Sequence, residues 1–381
     1  MRAKKVLFTS TNAMAYHFLI PHVKSLIDEG YIVELACSNL DGYDELLRSR
    51  LIGAYKSTIH YVRLNRNPFK FSNIKGYFEM RKIISTGRYD LISTNEPVMG
   101  LVTRLAARNE RKKGTKVSYT AHGFHFFKGA PFKNWILYYP IERFLARYTD
   151  IIITINKEDH NRALKFKINK IEQIPGIGID TEKYSKVVID KARKRRELGV
   201  TIDEAFVILS VGELNENKNH EVIIKAVAKL NNPYVFYVIC GKGKLENYLK
   251  DLAKKLGVDQ QVKLLGYRKD IDEICKSADI FAFPSKREGL GLAAIEAMAT
   301  GLPIITSNVH GIVDYSTDGV TGYICNPTDV HSFAQAIERL LKNDELRINM
   351  GIQNMQIANK FRLEASIGKL KKIFGEVLSN E

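Results

Sequence analysis

Long apolar runs are missing from this chain. Across 381 residues no stretch approaches the roughly 20 apolar positions that a membrane-spanning helix needs, and segments such as 234–240 (YVFYVIC) have the length of a strand. The opening MRAKKVLFTST carries charge but no apolar core of signal-peptide length before Ser10, Thr11 and Asn12. An integral membrane protein or a secreted one is therefore not expected. Glycine (26) and proline (10) are too few for a collagen-like or low-complexity chain. The four cysteines, Cys37, Cys240, Cys275 and Cys325, form no CxxC and no Cys/His cluster of zinc-ligand spacing. Each lies in or beside an apolar segment, which reads as a small buried hydrophobe in a reducing cytoplasm.

Acidic residues are scarce beside basic ones. Lys and Arg number 58 against 42 Asp and Glu, a net charge of +16. Residues 1–180 hold 29 basic and 16 acidic side chains, and the remainder hold 29 and 26. A basic half-molecule points to an anionic partner such as nucleic acid, an acidic membrane surface or a phosphorylated substrate. A solvated basic face that serves only solubility is the plainer alternative.

What the chain has in quantity is alternation. Its length suits two domains of ordinary size, or three. Strand-like segments occur at 5–10, 31–38, 89–94, 116–121 and 151–155, and again at 206–211, 234–240, 262–265, 279–283 and 303–306. Helical patterns at 72–86, 97–109, 218–230, 244–256, 270–277 and 291–300 separate most of them. Near-continuous apolar strands divided by helices imply parallel sheets covered on both faces. The fold class is α/β, with two doubly wound domains. Turn-prone Pro175-Gly176-Ile177-Gly178 and the charged stretch 190–197 (DKARKRRE), read as an exposed helix, mark the break. The expected domains are 1–180 and 181–360, with a closing helix in 361–381 returning to the first. Ligands of open parallel sheets bind beyond the C-terminal strand ends. The expected site is therefore a cleft between two such sets of ends.

Segment 284–301 (PSKREGLGLAAIEAMATG) runs from a strand end through a glycine-containing loop into a helix. Its glycines allow close backbone approach to a ligand, and the helix start offers unpaired N–H groups to a phosphate. Glu288 and Glu296 add acceptor-only carboxylates beside that phosphate site, a pattern suited to a hydroxyl-rich ribose or hexose. Strand 206–211 leads into Gly212-Glu213-Leu214-Asn215-Glu216-Asn217-Lys218, whose lysine could reach a diphosphate. Gly241-Lys242-Gly243 follows strand 234–240 and lacks the third glycine of a dinucleotide fingerprint. Leu265-Gly266-Tyr267-Arg268 and Asp318-Gly319-Val320-Thr321-Gly322 complete the series.

Taken in order, these motifs resemble family 4 of the retaining glycosyltransferases, which have the GT-B fold of two facing Rossmann-like domains. The resemblance is strong over 206–328. It is looser in the first half, at His122-Gly123-Phe124, Ile141-Glu142-Arg143-Phe144-Leu145-Ala146 and Pro175-Gly176-Ile177-Gly178-Ile179-Asp180. The AHGFHF and GELNENKNH variants look like enzymes of bacterial capsule or exopolysaccharide assembly. The resemblance implies that Glu296 binds the ribose hydroxyls of a UDP-sugar and that Glu288 lies near the donor sugar. It implies further that N–H groups of Leu290, Gly291 and Leu292, beside Gly289, hold the distal phosphate. Lys218 would neutralise the leaving group, Gly212 and Gly241 would line the nucleotide, and the Tyr267-Arg268 backbone would face the base. His122 would stand across the cleft. The implied reaction moves a sugar, an N-acetylated hexosamine type being one option, onto a polyprenyl-diphosphate-linked saccharide with retention of configuration. No cofactor or metal is expected.

Two departures stand out. Glu213 occupies the place where the family usually has a phosphate-binding Arg, so the grip falls to Lys218, the backbone and Lys286 or Arg287. The loop Ser10-Thr11-Asn12-Ala13-Met14 lacks the family's paired glycines; Asn12 is placed beside the acceptor. Segment 124–148 interleaves aromatics with basic residues, and Phe127, Lys128, Lys133 and Trp135 are assigned to acceptor or membrane contact. The implied location is cytoplasmic and peripheral on the inner face of the cell membrane. Asp270-Ile271-Asp272 has the D-x-D spacing of a metal site but opens a helix, where a cap is expected. His125 and His310 are further cleft candidates, with buried structural roles the alternative. A non-hydrolysing UDP-sugar epimerase of the same fold is the competing enzyme, and a basic nucleic-acid-binding protein the competing non-enzyme, although no nucleic-acid motif occurs.

Overall fold

The computed structural model describes residues 2–12, 16–38 and 57–379. The chain forms two compact units, one made of 1–178 with 364–381 and the other of 179–363. In the first, seven strands, β1 (Lys5–Asn12), β2 (Ile32–Ser38), β3 (Ile59–Tyr61), β4 (Leu91–Asn95), β5 (Lys116–Ala121), β6 (Ile151–Thr154) and β7 (Lys170–Gln173), lie in the order β3-β2-β1-β4-β5-β6-β7. In the second, β8 (Phe206–Val211), β9 (Val235–Cys240), β10 (Val262–Leu264), β11 (Ile280–Phe283), β12 (Ile304–Ser307) and β13 (Gly322–Cys325) lie in the order β10-β9-β8-β11-β12-β13. Every pairing in both sheets is parallel.

Strands such as β6 and β9 are almost wholly apolar because helices cover both faces. Residues 151–154 read IIIT and 235–240 read VFYVIC, and all ten are buried. The three strands that the sequence did not reveal, β3, β7 and β13, are all at sheet edges. Their residues are mostly half-buried, and β7 reads KIEQ, too polar to stand out. The pattern at 97–109 divides into helices Pro97–Ala106 and Arg108–Arg111. The helix expected from 218 begins at His220, because Asn219 takes a left-handed φ of 58°.

The stretch 190–197 forms the expected helix, Lys191–Glu197, and five of its seven residues are exposed, while Lys194 and Arg195 turn inward and are buried. The Arg195 guanidinium donates to the carbonyls of Ala205 (2.7 Å) and Ser277 (2.9 Å) and to Asp279 (2.6 Å), so it is a structural clamp. Lys194 donates to Asp270 and Glu273, each at 2.6 Å.

Each sheet has one switch point, where the chain leaves one side and resumes on the other: β1/β4 in the first unit and β8/β11 in the second. The crevice beyond the strand ends at such a point is where doubly wound sheets bind ligands. Ser10, Thr11, Asn95 and Glu96 stand at the first; residues 212–219 and 284–292 stand at the second.

Candidate functional site

At the β8/β11 switch point two loops are stitched together. Asn217 donates from Nδ2 to the Arg287 carbonyl (3.0 Å), and its own carbonyl accepts the Lys286 N–H (2.8 Å). Asn219 donates to the carbonyls of Pro284 (3.0 Å) and Pro327 (2.8 Å). This network holds Lys218 so that its ammonium lies 2.5 Å from Glu288 Oε1 and 4.8 Å from the Phe283 ring centroid. Two charges separated by 70 residues in sequence thus form one half-buried pair.

Glycine is required where these loops close. A Cβ on Gly241 would fall 1.8 Å from the Gly212 carbonyl oxygen, so the β8 and β9 ends can touch only without side chains. Gly291 has φ 85° and a Cβ there would meet Phe283 at 2.4 Å. It opens helix Leu292–Ala299 with no side-chain cap, leaving the first-turn N–H groups directed out of the helix end. Leu290 is buried beside it. The Tyr315 hydroxyl is buried, has no hydrogen-bond partner among the described residues, and lies 3.2 Å from the same Cβ position. Sequence reasoning missed Tyr315, which no motif marks.

Glu296 projects from this helix into a desolvated place. Burial raises its pKa, and a hydrogen bond from the Tyr184 hydroxyl with the charge of Lys183 opposes that rise. Tyr184, on helix Thr181–Lys186, was also missed, although it lies only four residues past Asp180 of the Pro175-Gly176-Ile177-Gly178-Ile179-Asp180 motif.

Other second-unit candidates have different company. Tyr267 is exposed, and the Arg268 guanidinium donates to Asp270 and Glu197. Asp270 stands at the start of helix Ile271–Ser277 but caps no backbone N–H, contrary to expectation. Arg268 and Lys194 hold its carboxyl far below the ordinary range, and Asp272 pairs with Lys183 at 3.5 Å. The D-x-D is an ion-pair node because Lys194 of the Lys191–Glu197 helix, Lys183 of the Thr181–Lys186 helix and neighbouring Arg268 reach it. Glu213 is exposed and accepts from Asn215 Nδ2 (2.9 Å). His310 is buried with φ 46°, and the next N–H donates to the Glu288 carbonyl (3.1 Å).

In the first unit, His122 lies beyond β5 with Nε2 2.9 Å from Asn95 Oδ1. Burial lowers its pKa and Glu96 opposes the shift. Glu96 itself is a residue that sequence reading passed over. It has φ 65° and ψ 153°, and its Oε2 accepts the Thr11 N–H (2.6 Å) and the Ser10 hydroxyl (2.8 Å). Strain of this kind concentrates at functional positions. The following Pro97, which bars Glu96 from the helical region, was the one available signal. Asn12 ends β1, and Ala13 and Met14 lie outside the described residues.

The membrane-contact residues divide. Lys128 and Lys133 are exposed, but Phe127 is buried. Trp135 packs against Phe126 and Tyr139, with the Arg162 guanidinium 4.6 Å over its ring. Helix Phe132–Leu145 instead exposes Phe132, Ile136, Leu137 and Phe144. Its aromatic spacing misled because the inward face is aromatic too.

Comparison with known proteins follows this geometry. Residues 190–356 match the model for glycosyl transferases group 1, and residues 5–156 match glycosyl transferase 4-like proteins. EpsD of Bacillus subtilis (strain 168), assigned to the glycosyltransferases, is 37% identical over 97% of this chain and 96% of its own. The UDP-Gal:alpha-D-GlcNAc-diphosphoundecaprenol alpha-1,3-galactosyltransferase of Escherichia coli is 30% identical over 84% of this chain and 83% of its own. Among solved structures, Anabaena Alr3699/HepE, in complex with UDP and glucose, superposes with a TM-score of 0.80 at 21% identity, covering 98% of this chain and all of that one. The chain therefore belongs to the group 1, family-4-like glycosyltransferases and has the GT-B fold. Relatives include the capsular polysaccharide biosynthesis glycosyltransferase CapM of Staphylococcus aureus, 24% identical over 96% of this chain and 98% of its own. Membership of this family sets aside the epimerase and nucleic-acid readings.

Proposed function

We propose that this protein transfers a hexose or N-acetylhexosamine from a UDP-sugar to a polyprenyl-diphosphate-linked saccharide, with retention of configuration, during cell-surface polysaccharide synthesis. The observation that carries the reading is the Lys218–Glu288 pair set beside the uncapped helix start at Gly291. A glycosidic bond to a diphosphate breaks into an oxocarbenium-like sugar and an anionic leaving group. Lys218 and the first-turn N–H groups after Gly291 are the fixed positive ends placed to meet that anion. Glu288, held by Lys218, keeps one carboxylate oxygen for a donor-sugar hydroxyl. Glu296 gives up the Tyr184 hydroxyl to take the ribose hydroxyls. The acceptor then attacks from the face the diphosphate leaves, and the departing phosphate takes its proton, so no protein nucleophile is required.

The choice of UDP and of a lipid-linked acceptor is supported by the E. coli relative, named for both, and by the HepE complexes with UDP and with UDP-glucose. No helix among the described residues is long and apolar enough to cross a membrane. The exposed apolar face of helix Phe132–Leu145, flanked by Lys133, Arg143 and Arg147, suits peripheral binding to an acidic membrane. The test is UDP release from a panel of UDP-sugars in EDTA, with and without a polyprenyl-diphosphate-sugar acceptor. Acceptor-stimulated release, lost in Glu296→Ala and Lys218→Ala, is expected. Release of UDP unaffected by both substitutions would overturn the site, and an inverted product anomer would overturn the mechanism.

A further inference from the structure

The first unit contains a pocket of about 340 Å³ that the donor-side chemistry leaves unused. That volume lies at the lower end for small-molecule sites. Phe69 lines one side, Val98 and Leu101 of helix Pro97–Ala106 a second, and Leu137 and Ile141 of helix Phe132–Leu145 a third. The two helices are locked together. Arg104, fully buried, donates to Glu142 Oε2 (2.8 Å) and lies 3.9 Å over the Tyr119 ring, so the walls stand preformed.

The lining says what kind of molecule fits. A sugar placed against Val98, Leu101 and Ile141 would leave hydroxyls unpaired, which is costly, so the occupant is apolar where it enters. Phe69 and Leu137 are at once pocket lining and exposed surface, and Leu137 shares its helix with exposed Phe132, Ile136 and Phe144. The pocket therefore opens next to the apolar face proposed to meet the membrane. Its border also carries Arg66, which is exposed and has no ion pair or side-chain hydrogen bond among the described residues. The two bordering carboxylates are already engaged, Glu142 by Arg104 and Glu96 by Thr11 and Ser10. An apolar chain joined to an anionic head matches all of these features.

We propose that this pocket holds the isoprene units nearest the diphosphate of the polyprenyl-diphosphate acceptor, with Arg66 against the diphosphate. The proposal rests on the acceptor reading above and adds to it a place on this chain. The probe is farnesyl diphosphate, which carries the prenyl chain and head without a sugar, titrated into the full-length protein by calorimetry. Wild type should bind it. Leu101→Trp, which fills the pocket, and Arg66→Glu, which reverses the charge at its border, should each weaken binding about tenfold or more, a loss that two methylenes left in water already reach. UDP affinity and the melting temperature should stay at wild-type values in Arg66→Glu, whose side chain is exposed. Wild-type affinity for farnesyl diphosphate in both variants would overturn the proposal. So would displacement by UDP, which would place the probe in the donor site, or equal competition by phosphatidylglycerol vesicles, which would assign the pocket to bilayer lipid. Failure of every UDP-sugar to support transfer would sink the functional reading and leave this titration standing.

Discussion

Replacing Lys218 by Met separates two roles of one side chain. Its ammonium lies 2.5 Å from Glu288 Oε1, and the side chains are only 20% and 14% exposed. Met keeps most of the stem, whose carbons pass 3.2 Å from the Gly212 Cβ position, but removes the cation. Stranding a fully buried carboxylate costs about 3–5 kcal/mol. With this much residual solvent contact, a loss of about 1–3 kcal/mol is expected. Independently, a cation facing the departing diphosphate acts chiefly in the transition state, and its loss should lower kcat about 100- to 1000-fold. The double variant Lys218→Met/Glu288→Gln strands no charge, so it should regain most of the stability while kcat stays low. Urea unfolding and acceptor-stimulated UDP release, measured on the wild type, both single variants and the double, form the cycle. A Lys218→Met enzyme with kcat within about threefold of wild type would refute the assignment. Recovery of kcat together with stability in the double variant would show that Lys218 acts only by holding the loops.

Tyr184→Phe removes the hydrogen bond that lowers the Glu296 pKa against burial, so the pKa should climb further and the acid limb of UDP affinity should move to higher pH. An unmoved limb would mean that Glu296 does not bind as a carboxylate. His22 and His220 are buried, and burial pushes both imidazoles down to about 4. The unfolded chain takes up those protons first, below about 6.5, so stability should fall as pH drops from about 6.5 to 4, by about 3 kcal/mol for each histidine. Chemical denaturation across that range, with His22→Gln flattening its share, checks the sign. Gly291→Ala should cost about 1–3 kcal/mol and weaken UDP, because φ 85° and Phe283 at 2.4 Å both oppose a Cβ; a variant that binds UDP normally would exclude this loop as the phosphate site. Transfer should persist in EDTA, and its loss with recovery on Mg²⁺ would contradict the metal-independent mechanism.

The sequence was legible where physics acts locally. Strands buried on both faces can be nearly continuous apolar runs, which is why 151–154 and 235–240 announced themselves and half-buried β7 did not. The glycine at 291 marked the loop of the candidate site because only glycine fits there beside Phe283. Where charge was read locally the reading was incomplete. Asp270 looked like a helix cap although Arg268, two residues away, pairs with it, and the inward side of 190–197 went unread because Lys194 and Arg195 meet carboxylates far along the chain. Lys194 meets Asp270 across 76 residues, and Arg195 meets Asp279 across 84.

The order of apolar and polar residues by itself determined two parallel α/β sheets, the strand ends that carry the glycine loops, and the carboxylates and lysine available to them. Periodicity and turn chemistry act within a few residues, so one chain segment suffices to specify them. Strand order decided the rest. Placing β8 beside β11 set the 212–219 loop against 284–288 and paired Lys218 with Glu288. Folding of 179–363 into one unit gave Glu296 its Tyr184 and put the Tyr315 hydroxyl next to Gly291. Packing of helix Pro97–Ala106 against Phe132–Leu145 through Arg104 and Glu142 made a pocket from residues that separately look like ordinary core. Such contacts depend on which distant segments become neighbours, and that is a property of the closed fold.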